Sequence, residues 1–571
     1  MKMLTYQAIV IGTGAAGYNA ACRLKSLGVD VAIVTEGVQR GTSRNTGSDK
    51  QTYYKLGLAG GSADSVQEMA RNLFDGGCVD GDNALCEAAL SARCFLNLCE
   101  LGVPFPVNRY GEYVGYKTDH DPYARATSAG PLTSKFMTEA LQKRAESLDI
   151  PVHDGCYAVK ILKQDGRACG LLCVQNGETL AFRCGDVVMA TGGPAGIYAH
   201  SVYPECHTGS SGLAILAGAK MQNLSLWQYG LASIAPRWNV SGTYMQVLPR
   251  FVSIDGEGRE HDFLWDYYKD PYEGLSHVFL KGYQWPFDPK KAQNGSSVID
   301  MLVYRECVER NRRVYLDYTR NPMDMDFTKL SAEAYEYLSK AGATFGTPIQ
   351  RLEKMNAPAI ELYRSKGVDL YTEYLPIALC AQHNNGGIAV DLWWQTSVKG
   401  LFAAGECAGT HGITRPGGSA LNAGQVGSLR AAQYIARHPG KLVEEAAFRE
   451  LVSREHVAFR EDAPQKIRIA QRRMSGSAAA VRDPARIKET LAVTLQELET
   501  AEDPRLRDVL VTQAAVLTAM SQPVTDPQKV QEVTLTREGF AVNVRPVRPI
   551  PREDCFFENV WRGYRENQNI F

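Results

Sequence analysis

At 571 residues the chain has the length of two to four domains and enough material for a large buried core. A net charge of −1 with 22% charged residues argues against nucleic acid or another polyanion as the main partner. The fourteen cysteines are scattered without a Cys-x-x-Cys pair, and there is no secretory leader or bilayer-length apolar run, so the expectation is a cytoplasmic protein with reduced thiols, no metal and no membrane span.

The first predicted element is a buried parallel strand over Ala8-Ile9-Val10-Ile11. It runs into Gly12-Thr13-Gly14-Ala15-Ala16-Gly17. There Gly12 permits a tight turn, Gly14 lets the backbone approach a pyrophosphate, and Gly17 lets the next helix pack close to the strand. That helix, predicted over 15–27 and ended by Gly28, points its positive end from Ala15 and Ala16 at the phosphates. A second strand over 31–36 ends in Glu36, near the offset at which an acid receives ribose hydroxyls. Gly37, Thr42 and Ser43 follow and complete the candidate cofactor-binding set at this end.

Further strands are predicted over 158–162, 169–174 and 187–190, the last running into Ala190-Thr191-Gly192-Gly193, of which Ala190, Thr191 and Gly192 are candidate cofactor contacts. From about residue 225 the strand–helix alternation stops, and aromatic and proline-rich sequence takes over. Six of the seven tryptophans fall between Trp227 and Trp394. The alternation resumes near Leu375, passes through Gly400-Leu401-Phe402-Ala403-Ala404-Gly405-Glu406, and closes with a helix over 419–436. The remainder reads as helical and charged.

The economical architecture is α/β: a discontinuous nucleotide-binding Rossmann domain (1–224 and 373–440), an inserted α+β capping domain (225–372) and a C-terminal helical region (441–571). A nicotinamide dehydrogenase needs only the first glycine-rich stretch. A late stretch brought back beside it favours FAD. No second Gly-x-Gly-x-x-Gly unit and no haem-attachment motif is present, so electrons must be exchanged with something external: an iron–sulfur or flavin protein, a small donor, or oxygen.

With these pieces in order, the chain resembles the fumarate reductase/succinate dehydrogenase flavoprotein family, which includes L-aspartate oxidase. The resemblance rests on residues 12–17 and 190–193, on His383-Asn384-Asn385-Gly386-Gly387-Ile388-Ala389-Val390-Asp391, and on residues 400–406 followed by His411-Gly412-Ile413-Thr414-Arg415. Val314-Tyr315-Leu316-Asp317 and the terminal residues 556–564 are similar as well. The resemblance implies a glutathione-reductase-like FAD domain, a mobile cap, and hydride transfer between flavin N5 and a carbon of a carboxylated or otherwise activated substrate. His383 matches the substrate-binding histidine, and Arg415 the arginine that clamps a carboxylate. Glu406 would take ribityl or ribose hydroxyls, and the helix starting at Ser419, with Leu421, would aim N–H groups at the flavin pyrimidine.

Departures from the family bear on the substrate. Its Gln-Phe-His-Pro-Thr stretch reads here Gln228-Tyr229-Gly230-Leu231-Ala232, without the histidine and threonine. Its Arg-Gly-Glu-Gly-Gly is absent, and Arg250 is the nearest candidate for the proton-donating charge. Ser48-Asp49-Lys50-Gln51 replaces small residues beside the flavin, which makes Lys50 a candidate catalytic cation, with Asp49 its partner or a base. No histidine precedes His120, so non-covalent FAD is expected. Trp227, Trp238, Tyr244, Trp265 and Trp285 are candidates either to line a pocket for a larger, ring-shaped molecule or to fill a core. The favoured activity is a double-bond reductase or dehydrogenase; an oxidase like L-aspartate oxidase and an electron-transfer subunit remain alternatives.

Overall fold

The computed structural model describes residues 2–60, 63–207 and 211–566. Its organising element is a five-stranded, all-parallel sheet in the order Leu401–Ala403, Asp186–Met189, Ala8–Ile11, Val31–Val34 and Val152–His153. The first four strands are buried along their whole length, as a parallel sheet covered on both faces requires. Helix Ala15–Ser26 leaves the first of these strands in sequence through Gly12. A Cβ on Gly17 would sit 2.0 Å from the Gly12 carbonyl oxygen, so only glycine permits this helix to lie so close to the turn.

Helix Ser419–Arg437 crosses helix Ala15–Ser26 and is tied to it side chain to backbone. Asn19 donates to the Gln425 carbonyl, Gln425 to that of Ala15 and Ser428 to that of Ala16. This is how the late glycine-rich segment returns beside the early one. The strands anticipated between 158 and 190 form as Cys156–Gln164, Arg167–Gln175 and Asp186–Met189. The first two belong to a separate four-stranded sheet with Glu178–Arg183 and Lys2–Thr5.

Residues between 225 and 372 build most of a six-stranded antiparallel sheet. Its order is Arg237–Asn239, Trp227–Ile234, Leu375–Asn384, Arg313–Asp317, Arg250–Ile254, Glu260–His261. The strand Leu375–Asn384 pairs with Trp227–Ile234, with His383 opposite Gln228. One continuous strand therefore carries the candidate histidine from the middle of this sheet to its edge.

The region after 441 is only partly helical. Beyond four helices it contains a β-hairpin, Lys529–Thr536 with Gly539–Pro546, which adds to the short strands Met221–Gln222 and Gly387–Ile388 in a four-stranded sheet. Arg545 anchors this hairpin to Asp80 at 2.8 Å and to Glu532 at 2.8 Å, beneath helix Gly81–Glu100. Among the described residues, no helix is long and apolar enough to cross a membrane.

Candidate active site

The two glycine-rich segments enclose a cavity of about 400 Å³, within the range of small-molecule sites. At one end stand Gly12, Gly14, Ala15 and Ala16, the C-terminal edge of the parallel sheet and the start of the first helix. Gly12 has φ +113°, and a Cβ there would lie 2.4 Å from the Ala190 carbonyl oxygen. The caps of helices Ala15–Ser26 and Ser419–Arg437 are Gly14 and Gly418, neither giving a side-chain hydrogen bond. Both caps border the cavity, so first-turn N–H groups are left for a ligand.

Glu36, Gly37, Thr42 and Ser43 continue this wall, with Ala190, Thr191 and Gly192 opposite and Glu406 and Leu421 closing it. Thr191 Oγ1 is buried without a hydrogen-bond partner, as is Ser419 Oγ. These features fit a dinucleotide: two uncapped helix N-termini for negative or electron-rich groups, a cradle that a Cβ would fill, and orphaned hydroxyls. Gly17 and Ser419 do not line the cavity themselves. Gly17 packs helix on turn, and Ser419 lies buried at the start of its helix.

Glu36 accepts from Arg40 at 2.8 Å and from Arg505 at 2.7 Å. Arg505 also lies over the Tyr157 ring, 4.1 Å from its centroid, and Tyr157 borders the cavity. Neither Arg505 nor Tyr157 was foreseen; they come from segments with no motif of their own.

His383 and Arg415 both line the cavity and are brought together with Glu406, Tyr203 and His411. His383 Nδ1 lies 3.0 Å from Asn385 Oδ1, and its Nε2 is buried without a hydrogen-bond partner, 3.6 Å from Glu406 Oε1. Burial, then the Arg415 charge and His411, push the His383 pKa well below the usual imidazole value. Burial, with the Arg415 charge adding to it, lowers His411 to about 3. Arg415 is pulled down to about 10 by burial, which leaves it charged at neutral pH, and its Nε has no partner. Glu406, desolvated, rises to about 7, and the Tyr203 hydroxyl donates to it. Tyr203, like Asn239, Ser241 and Gln382, borders the cavity without having been signalled by a sequence pattern.

Two candidate catalytic cations do not reach this site. Arg250 does not line it: its guanidinium is held by Asp262 at 2.5 Å, Glu260 at 3.1 Å and Asp317 at 3.5 Å, within the cap sheet. With three carboxylates around it, Arg250 is a structural ion-pair centre, which corrects the expectation of a proton donor there. Lys50 is exposed and absent from the cavity wall, which Ser48 and Gln51 on either side do form. Asp49 accepts instead from the Thr243 N–H (2.9 Å) and hydroxyl (3.1 Å), pinning the loop to the cap. Of the five cap aromatics, Trp285 alone borders the cavity; Trp238 and Tyr244 are buried core.

Residues 7–421 match the model of a family described as "FAD binding domain". The chain belongs to this FAD-binding family. It is an FAD-dependent oxidoreductase, and the resemblance read from its motifs holds: similar relatives carry names from that group. One component of the CoM/CoB fumarate reductase of Methanothermobacter marburgensis is 25% identical over 459 residues, 76% of this chain and 75% of that one. L-aspartate oxidase of Bacillus subtilis is 25% identical over 451 residues, 75% of this chain and 72% of its own. Among solved structures, Sdh1 of Mycobacterium smegmatis in complex with UQ1 shares the fold with a TM-score of 0.73 at 19% identity, over 97% of this chain and 96% of that one.

Proposed function

We propose that the chain holds FAD non-covalently, with the phosphates at Gly12, Gly14 and the start of helix Ala15–Ser26 and the ring toward His383 and Arg415. There it exchanges hydride with a carbon of a carboxylated or otherwise activated substrate. The observation that carries this reading is the pair of buried, unpartnered nitrogens, His383 Nε2 and Arg415 Nε, on the wall of the cavity that also holds the nucleotide fingerprint. When bound, the flavin supplies a two-electron hydride acceptor or donor. Arg415 holds and orients a substrate carboxylate through charge-assisted hydrogen bonds, strengthened by its burial. Trp285, Asn239 and Ser241 bring the cap over this end and keep water from the reacting carbon. The first turn of helix Ser419–Arg437 favours negative charge on whatever lies against it. Electrons are then exchanged with an external partner, an iron–sulfur or flavin protein being the expected class.

The test uses purified protein titrated with FAD. It should turn yellow, and the colour should leave with the supernatant when the polypeptide is acid-precipitated. Arg415→Met should keep the flavin and lower substrate turnover roughly 100-fold or more. Full turnover in that variant removes Arg415 from the site, and a chain that takes up no FAD overturns the reading. The L-aspartate oxidase relatives support a second reading, an oxidase; hydrogen peroxide formed in air with a reducing substrate distinguishes it.

A further inference from the structure

The chemistry of Asn385 fixes the proton on His383. Asn385 Nδ2 donates to the Gly412 carbonyl at 2.7 Å, and a carbonyl can only accept. The amide oxygen therefore faces His383, where it too can only accept, so the proton of the 3.0 Å contact sits on His383 Nδ1. Asn385 has no freedom to flip. It is 1% exposed, and its backbone N–H donates to Leu226 while its carbonyl accepts from the His411 N–H. Gly412 is equally fixed, since a Cβ there would lie 1.8 Å from the Gly77 carbonyl and the next two residues bond back to Gly77 and Gly76. Burial and the Arg415 charge keep the ring neutral. A neutral ring protonated at Nδ1 presents a bare lone pair at Nε2, the buried atom with no partner on the cavity wall.

A lone pair at that place is suited to removing a proton. Reduction of a carbon–carbon double bond would call for a donor at this atom, and Nε2 carries no hydrogen. We propose, on the reading above that hydride passes between substrate carbon and flavin, that the substrate is a hydroxy acid. Arg415 holds its carboxylate, and His383 Nε2 accepts its hydroxyl proton. As the O–H bond breaks toward Nε2, the carbinol C–H bond breaks with its electron pair going to the flavin, and a carbon–oxygen double bond forms. The alcohol is oxidised by two electrons, the flavin is reduced by two, the proton rests on His383, and an external acceptor restores the flavin. A bound carboxylate neutralises Arg415 and so removes the charge that suppresses His383 basicity. Glu406, 3.6 Å from the same nitrogen, favours the imidazolium once formed. Base strength therefore rises when an acid occupies the site. Asn385 is the positioning residue of this arrangement.

The tautomer is read by nitrogen NMR of protein labelled at its ten histidines, with and without FAD, the His383 signals being assigned by their loss in His383→Gln. The expected pattern is a protonated Nδ1 and a bare Nε2. Asn385→Asp, which keeps an acceptor opposite Nδ1, should retain it; Asn385→Leu should lose it. In parallel, FAD-loaded protein is mixed anaerobically with glycolate, lactate, glycerate and tartrate. At least one should bleach the flavin, more slowly when its carbinol carbon bears deuterium, and His383→Gln should abolish the bleaching. An Nε2-protonated or doubly protonated ring overturns the proposal, as does a flavin that none of these acids bleaches. Failure to take up FAD would instead sink the reading beneath it, while the spectrum of the flavin-free chain still decides the tautomer.

Discussion

Glu87 sits in helix Gly81–Glu100 with its carboxyl buried and its Oε1 without a hydrogen-bond partner. Burial raises its pKa from 4.5 to about 8, opposed by a hydrogen bond from Thr410. The folded chain thus keeps a proton that the unfolded chain has already released. This favours the fold fully below about pH 4.5, and the contribution is lost as pH rises through about 8. Glu87→Gln cannot ionise, so in that window its stability should fall less steeply than the wild type's, by up to about 1.4 kcal/mol per pH unit. Urea midpoints of both proteins across this range check it; parallel curves would show Glu87 ionised in the fold. The same dependence on surroundings explains which site residues could be read from sequence. His383 and Arg415 lie in motifs that carry their own backbone geometry. Arg250 and Lys50 were candidates by charge alone, and charge does not reveal that three carboxylates converge on one while the other faces solvent.

The strand–turn–helix unit at the start of the chain is specified locally, which is why its elements fall within two residues of expectation. Its packing leaves no slack: a methyl at Gly17 meets the Gly12 carbonyl at 2.0 Å. Gly17→Ala should therefore push the helix off the turn, costing about 1–3 kcal/mol of stability and weakening FAD uptake. Calorimetry and a flavin titration measure the two effects, and unchanged values in both would contradict the close packing. The C-terminal hairpin was missed for the opposite reason. Lys529–Thr536 mixes charge into an alternating pattern, and its strand partner is the two-residue segment Met221–Gln222, more than three hundred positions away. Nothing near it in sequence says that such an edge will be offered.

At the scale of the molecule, the anticipated insertion is correct in composition but not separate in hydrogen bonding. The strand Leu375–Asn384 belongs to the sheet of the preceding segment while carrying His383 to the cavity. The tail is likewise woven in. Arg545 reaches Asp80, which is 1% exposed at its side chain, and Arg548 adds a contact to the same carboxylate at 3.1 Å. Arg545→Met leaves that buried charge with one partner and should cost about 3 kcal/mol in urea denaturation, while Arg548 retains part of the contact. A loss below a few tenths of a kcal/mol would show the hairpin to be loosely held. The cavity wall runs in sequence from Ile11 to Gln425, each end useless without the other. A nascent polypeptide halted on the ribosome anywhere between these positions owns half a fingerprint and no nucleotide pocket. Vitamin-derived pigment is therefore acquired after synthesis has passed the second glycine stretch, and prematurely terminated fragments are colourless.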